Sequence, residues 1–235
     1  MRILKPMAMA ALAIPVLLGF SPAIGGAMAQ EATATATPKP PSAKRLYLRR
    51  TCMACHGKDG ARAIQAYPDI AGLDAAYIRT QIKDILSKKR QGSNDPVTGH
   101  PRAESMRGSL VTADGEMRIS DDEIKILADW LSKLDPAGPQ VHDPALSADR
   151  IAAGEAAYKK GRCRTCHGVG GNKPLKGYPR LAGQKSAYLV AQMIDIRDGA
   201  RTNGRSRMML PFVKRLSDEE IGALADYLSQ IDPNQ

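Results

Sequence analysis

Apolar residues recur at helical spacing in several stretches of the chain. Ile78, Ile82 and Ile85 fall on one face, as do Leu189, Met193 and Ile196. Ile124, Leu127 and Leu131 repeat the pattern, and so do Ile221, Leu224 and Leu228. Residues three and four apart share a helix face, so each set predicts an amphipathic helix with one buried stripe. Ser120 with Glu123, and Ser217 with Glu220, have capping-box spacing and mark where two of these helices begin. A shorter helix carrying Tyr47 or Tyr158 is expected further upstream. No segment alternates convincingly with the strand period, so the reading is all-α.

The pattern occurs twice. Tyr47, Tyr67-Pro68, Ala71-Gly72, Tyr77 and Gln81 recur as Tyr158, Tyr178-Pro179, Ala182-Gly183, Tyr188 and Gln192, all at an offset of 111. Further on, ISDDEIKILADWLSKLDP from Ile119 matches LSDEEIGALADYLSQIDP from Leu216 at an offset of 97. The first copy therefore holds 111 − 97 = 14 extra residues between Tyr77 and Ile119. Asp135 to Ser147 carries three prolines and separates the copies as a linker.

The 235 residues suffice for two small domains. Residues 1–29 have the form of an export signal cleaved near Ala29: Arg2 and Lys5 at the start, an apolar run from Met7 to Phe20, and the small-residue site Ala27-Met28-Ala29. A leader at 30–43, rich in Ala, Thr and Pro, has almost nothing to bury. The apolar run is short for a membrane span, and the mature protein is expected outside the cytoplasm, in the periplasm. Each copy is about 90 residues, marginal for a stable core of its own, and aromatic residues make up only 4% of the chain. A large apolar cofactor would complete such a core.

All four cysteines lie in two C-x-x-C-H motifs, Cys52-Met-Ala-Cys55-His56 and Cys163-Arg-Thr-Cys166-His167. This is the attachment signature of c-type haem. The two thiols add across the haem vinyl groups, and the histidine that follows is held beside the iron as its proximal ligand. A zinc site would bring paired cysteines closer in sequence, and a thioredoxin-like pair would sit in a strand–helix pattern. Structural disulfides would not explain a histidine at both positions. Two covalent haem c groups are expected.

With the motifs CMACHGKDG and CRTCHGVGG, the turns YPDIAG and YPRLAG, Tyr77/Tyr188 with Gln81/Gln192, and the paired capping-box helices, the chain resembles the dihaem cytochrome c4 family over nearly all of Lys44 to Pro233. The resemblance implies two tandem class I cytochrome c domains, each wrapped around a covalent haem c, at 44–135 and 148–235 with a linker at 136–147. It implies that the carbonyls of Pro68 and Pro179 accept a hydrogen bond from the proximal imidazoles of His56 and His167. It also implies a methionine as sixth ligand, seven residues before the leucine that opens the last helix. That position is Met209, with Met208 as its neighbour and rival. Met193, at the repeat position of Ile82, reads as core. In the first copy the corresponding residue is Thr112, which cannot ligate iron, so the candidates are Met106, Met117 and His100. Met106 lies at an offset of 103 from Met209, as expected if 8 of the extra residues precede the ligand and 6 follow it.

The formal charge is +10. Removing Arg2 and Lys5 leaves +8, and four ionised haem propionates bring it to about +4. Arg45, Arg49 and Arg50 precede the first motif, and Lys159, Lys160, Arg162 and Arg164 surround the second. A basic ring at a haem edge would steer the protein to acidic partners. The expected partners are redox proteins such as a quinol-oxidising complex and a terminal oxidase or reductase, with loose attraction to anionic lipid left open and nucleic acid excluded. A cytochrome subunit of a periplasmic dehydrogenase, similar to flavocytochrome sulfide dehydrogenase, is the alternative. An electron-transfer protein rather than an enzyme is expected, because a catalytic haem keeps an open position and both copies offer a methionine.

Overall fold

Five polar side chains start the main helices. The hydroxyls of Ser42, Ser120, Ser147 and Ser217 and the carboxylate of Asp74 each accept a backbone N–H three residues on. At Ser120 and Ser217 the glutamate at the third helical position returns the bond to the cap's own N–H, completing both capping boxes. The computed structural model describes residues 42–96 and 98–235. The expected export signal and residues 30–41 of the expected leader lie outside the described residues; the last two leader residues, Ser42 and Ala43, instead cap and open the first helix.

The first copy holds α1 (Ala43–Arg49), α2 (Met53–His56), α3 (Ala75–Leu86), α4 (Glu104–Leu110) and α5 (Asp121–Leu131). The second holds α6 (Ala148–Lys160), α7 (Arg164–His167), α8 (Ser186–Arg197), α9 (Leu210–Val213) and α10 (Asp218–Ser229), with 3₁₀ turns at Val169–Gly171 and Gly204–Met209. Among the described residues, β-structure is limited to two isolated bridges. The chain thus forms two tandem helical domains, each with its own core. In the first, α5 packs on α1 and α3; in the second, α10 packs on α6 and α8. The four stripes read from the sequence are buried, with Ile124, Leu127, Ile221, Leu224 and Leu228 at 2% exposure or less. Burying each such side chain is worth about 1.5–3 kcal/mol.

The helix before the second motif is longer than its counterpart, not short. It starts at Ser147, eleven residues before Tyr158, whereas Ser42 lies five residues before Tyr47. α6 crosses α10 closely at Gly154, where a Cβ would lie 2.1 Å from the Ala223 carbonyl oxygen. No side chain fits there.

The 14 extra residues of the first copy form two structures. Upstream of Met106, a turn bridged between Asn94 and Pro101 leaves α3. Downstream, a small hairpin bridged between Val111 and Met117 leads to α5. The segment between these insertions keeps register: Leu110 and Val213, 103 apart, are both buried.

The join between the domains is polar and pseudo-symmetric. Arg90 donates to Gln81 of its own domain at 3.0 Å and to Tyr188 and Gln192 of the other at 3.0 and 2.9 Å. Arg201, at the same repeat position, donates to its own Gln192 at 2.6 Å and to Gln81 and Tyr77 opposite at 3.1 and 3.4 Å. Asp84 accepts from Asn203 at 2.7 Å, and Asp195 accepts the Ser93 N–H at 3.1 Å. Burial raises the Tyr77 phenol, but Arg201 and then Arg90 outweigh it, so its net shift is downward. A second contact clamps the Asp69 backbone between the two ends of the Gln184 amide, at 3.0 and 2.8 Å. The linker is fastened to the second domain: Gln140 donates to the Gly183 carbonyl at 2.8 Å, and His142 contacts the Ser229 hydroxyl at 2.9 Å.

Candidate functional site

Each C-x-x-C-H motif is a single helical turn, α2 or α7, whose last residue is the histidine. Each turn ends at a glycine of positive φ, Gly57 at 75° and Gly168 at 80°. A Cβ at these positions would meet the carbonyl oxygens of Arg62 and Lys173 at 2.5 and 2.3 Å, so glycine is required on both counts. The carbonyls of these glycines accept hydrogen bonds from the Tyr47 and Tyr158 hydroxyls, at 2.7 and 2.6 Å. The tyrosine bodies are buried against Trp130 and Tyr227, themselves repeat equivalents. Each motif is therefore anchored to the first helix of its domain and, through the aromatic pair, to the last.

Both histidines are buried. His56 Nδ1 lies 2.8 Å from the Pro68 carbonyl oxygen, and His167 Nδ1 lies 2.9 Å from that of Pro179. A carbonyl only accepts, so each Nδ1 carries the proton and each Nε2 is left with its lone pair. Burial lowers both imidazole pKa values and outweighs the opposing effect of the carbonyl. Neutral, oriented imidazoles with a free Nε2 are what a metal ligand needs.

The four cysteines are free and half-buried. Burial pushes the Cys52 and Cys163 thiols up to about 11. That is opposite to the lowered pKa of a catalytic dithiol. Among the described residues no three His, Cys, Asp or Glu side chains gather as a metal cage. The surroundings fit a flat apolar group instead. Ile64 and Leu175, at the same repeat position, are 49% and 56% exposed although both are large and apolar. Their N–H groups are pinned to the carbonyls of Cys55 and Cys166 at 3.0 and 2.9 Å. Both domains thus hold an uncovered aliphatic side chain beside the second cysteine, where a haem attached to that cysteine would lie. No motif announces Ile64 and Leu175 in the sequence, although their offset of 111 could have marked them.

The remaining candidates separate by position. Met106 on α4 packs against the first core together with Cys52, and Met209 at the end of its 3₁₀ turn packs against the second core together with Cys163. Met208 is 57% exposed, with its sulfur 3.8 Å from the Tyr178 hydroxyl that donates to it. Met117 is 56% exposed on the hairpin. His100 is exposed on the Asn94–Pro101 turn, where its carbonyl accepts the Asp95 N–H at 2.8 Å. Met193 is buried in the second core.

The expected basic clusters are partly neutralised. Arg49 and Arg50 both reach Glu123 at 2.7 Å. Lys159 pairs with Glu155 at 2.8 Å and Lys160 with Glu220 at 2.6 Å. Arg162 and Arg164 stay exposed.

Comparison with known proteins gives this geometry a family. Residues 42–135 match the family model described as cytochrome c, and residues 149–228 match that of cytochrome c oxidase, cbb3-type, subunit III. The chain is 33% identical to cytochrome c4 of Azotobacter vinelandii over 187 residues, covering 75% of this chain and 82% of the relative. It is 28% identical over 223 residues to a thiosulfate dehydrogenase electron acceptor of Thiomonas intermedia, covering 92% of each. The crystal structure of reduced recombinant cytochrome c4 from Pseudomonas stutzeri matches with a TM-score of 0.63 at 27% identity, over 82% of this chain and 100% of that one. Two tandem cytochrome c domains, two covalently bound haem c groups and single-electron transport follow. The chain belongs to the cytochrome c4 family.

Proposed function

We propose that this protein is a periplasmic carrier of single electrons between a quinol-oxidising donor complex and a terminal oxidase or reductase. The observation that carries the proposal is the duplicated histidine–proline contact, which leaves a lone pair on Nε2 of both His56 and His167. In this reading Cys52 and Cys55 hold one haem as thioethers, and Cys163 and Cys166 hold the other. His56 and His167 are the proximal ligands, oriented by Pro68 and Pro179. Met106 and Met209 would each offer a thioether sulfur to the iron. When bound, each haem supplies an iron that alternates between ferric and ferrous. The chain fixes the imidazole tautomer, offers a thioether that raises the potential relative to other axial pairs, and covers the ring with aliphatic side chains.

The apolar run near the N-terminus and the small-residue site at Ala29 support export. No described helix is long and apolar enough to cross a membrane. The basic surface supports docking to acidic redox proteins and loose attraction to anionic lipid, and export argues against nucleic acid as a partner. Reduction of the dihaem protein by quinol-fed membranes, followed by its reoxidation by oxidase-containing membranes in air, tests the reading. Failure of both steps would contradict it.

A second reading has specific support. A relative that aligns over 92% of this chain is named a thiosulfate dehydrogenase electron acceptor. The protein would then collect electrons from a periplasmic dehydrogenase, as its acceptor or its cytochrome subunit. Reduction by a thiosulfate-fed periplasmic extract, with no reduction by quinol-fed membranes, is the result that selects it.

A further inference from the structure

The loops around the two histidines are repeat equivalents with different charge. In the second domain Arg162, Arg164, Lys173, Lys176, Arg205 and Arg207 are all exposed. None of the six forms an ion pair among the described residues. Their counterparts, at an offset of 111 for the first four and 103 for the last two, are Thr51, Met53, Arg62, Gln65, Arg102 and Glu104. Six cations thus face two cations, one carboxylate and three uncharged side chains, and the first domain adds one exposed cation, Lys58, where the second has Val169. Of those two cations, Arg102 already lies 3.8 Å from Asp95. Next to the first motif, Arg49 and Arg50 share Glu123.

The six cations belong to segments that touch one another around His167. Arg164 opens α7, which ends at His167. The Lys173 carbonyl packs on Gly168. Arg205 lies 4.8 Å over the Tyr178 ring and donates to the Lys176 carbonyl at 3.1 Å. Tyr178 meets the His167 ring edge-on at 6.1 Å, and its hydroxyl reaches Met208. Among these cations sit two exposed apolar side chains, Val169 at 74% and Met208 at 57%. An apolar centre within a charged rim is the anatomy of a protein interface, and unpaired like charges on the rim select a partner of opposite sign.

We propose that this face of the second domain is the docking surface for a redox protein with an acidic face, and that this partner exchanges electrons with the second domain rather than the first. The proposal rests on the electron-carrier reading. One electron leaves the reduced second domain for the partner's oxidised one-electron centre, or arrives from a reduced one, and no bond or proton moves. The first domain, with fewer unpaired cations around its own motif, is reached through the second or by a partner of different chemistry.

The test uses the dihaem protein and two equivalent positions of the repeat. Amide shifts of the reduced protein are followed by NMR as poly-L-glutamate is added at low salt. The native chain is compared with Lys173→Glu/Lys176→Glu and with Arg62→Glu. Shifts are expected at residues 162–176 and 205–209. Affinity should fall about tenfold in the second-domain variant and by less than about twofold in Arg62→Glu, as expected for charges that steer a docking partner. Shifts spread over both domains, or an equal loss in Arg62→Glu, would overturn the proposal. So would shifts of the same amides by phosphatidylglycerol vesicles with none from poly-L-glutamate, since the surface would then face lipid. Oxidation by ferricyanide, an anionic one-electron oxidant, should slow in the second-domain variant and not in Arg62→Glu. A native protein that gave ferricyanide no electrons would contradict the carrier reading instead, while the NMR comparison would still decide the docking surface.

Discussion

Arg90 and Arg201 stand 111 residues apart at one position of the repeat, and each reaches across the join to the other's glutamine. Arg90 donates to Gln192 at 2.9 Å and Arg201 donates to Gln81 at 3.1 Å. The contact is self-complementary in the way of a two-fold interface, though both surfaces belong to one chain. It ties the third helix of one domain to that of the other.

Arg201→Ala should therefore weaken the join. Arg201 is buried and satisfies Gln192, Gln81, Tyr77 and Asn203. Its loss removes charge-assisted hydrogen bonds to all four, although Arg90 still serves Gln81 and Gln192, at a cost of about 1–3 kcal/mol. Calorimetry of the dihaem protein should show one transition becoming two, as each domain unfolds on its own. Arg201→Lys keeps the charge but not the planar fork, and should recover only part of the loss. An unchanged single transition in Arg201→Ala would show that the join does not couple the domains.

Gly154→Ala should force α6 away from α10. The added Cβ would fall 2.1 Å from a backbone oxygen and 2.5 Å from the Tyr227 Cβ, neither at the end of a flexible side chain. A loss of about 2–4 kcal/mol in urea unfolding is expected. Gly108→Ala is the control: nothing lies within 4 Å of its Cβ position, and alanine in α4 should gain up to about 1 kcal/mol.

Glu123 links the start of α5 to both Arg49 and Arg50. Burial raises its carboxyl, but the Ser120 N–H, Arg50 and Arg49 together hold it below its ordinary 4.5. A depressed folded-state value gives stability that is present above the unfolded value and lost as pH falls through the folded one. The stability difference between the native chain and Glu123→Gln should thus be full at pH 7 and shrink as pH drops below 4.5. A difference that stayed constant down to acid pH would show that packing, not charge, is what the carboxylate contributes.

Local patterns carried much of this structure into the sequence. Ile82 and Leu127 are buried because helical spacing puts them on the inner faces of α3 and α5, and the capping boxes mark the starts of α5 and α10. The repeat arithmetic located the insertions, since 8 residues before Met106 and 6 after it correspond to the Asn94–Pro101 turn and the Val111–Met117 hairpin. What stayed hidden depends on contacts between distant segments. Glu123 lies more than 70 residues from the two arginines it neutralises, so Arg49 and Arg50 read as free charge. Gln140 looks like any polar linker residue until Gln230 and Gly183 close on it. Ile64 and Leu175 are single apolar residues in loops, and only their exposure beside the cysteines gives them meaning.

The ligand set at the two irons is the centre of the account. Met106 and Met209 pack against their cores, while His100, Met117 and Met208 lie out on turns, a hairpin and the surface. The direct measurement is the far-red absorption of the oxidised protein, where methionine-to-ferric-haem charge transfer appears, recorded for Met106→Ala, Met209→Ala and His100→Ala. With one methionine per haem, each methionine variant should lose about half of the band and His100→Ala should keep all of it. An unchanged band and unchanged potentials in Met106→Ala, with both altered in His100→Ala, would contradict the account and make the first haem bis-histidine.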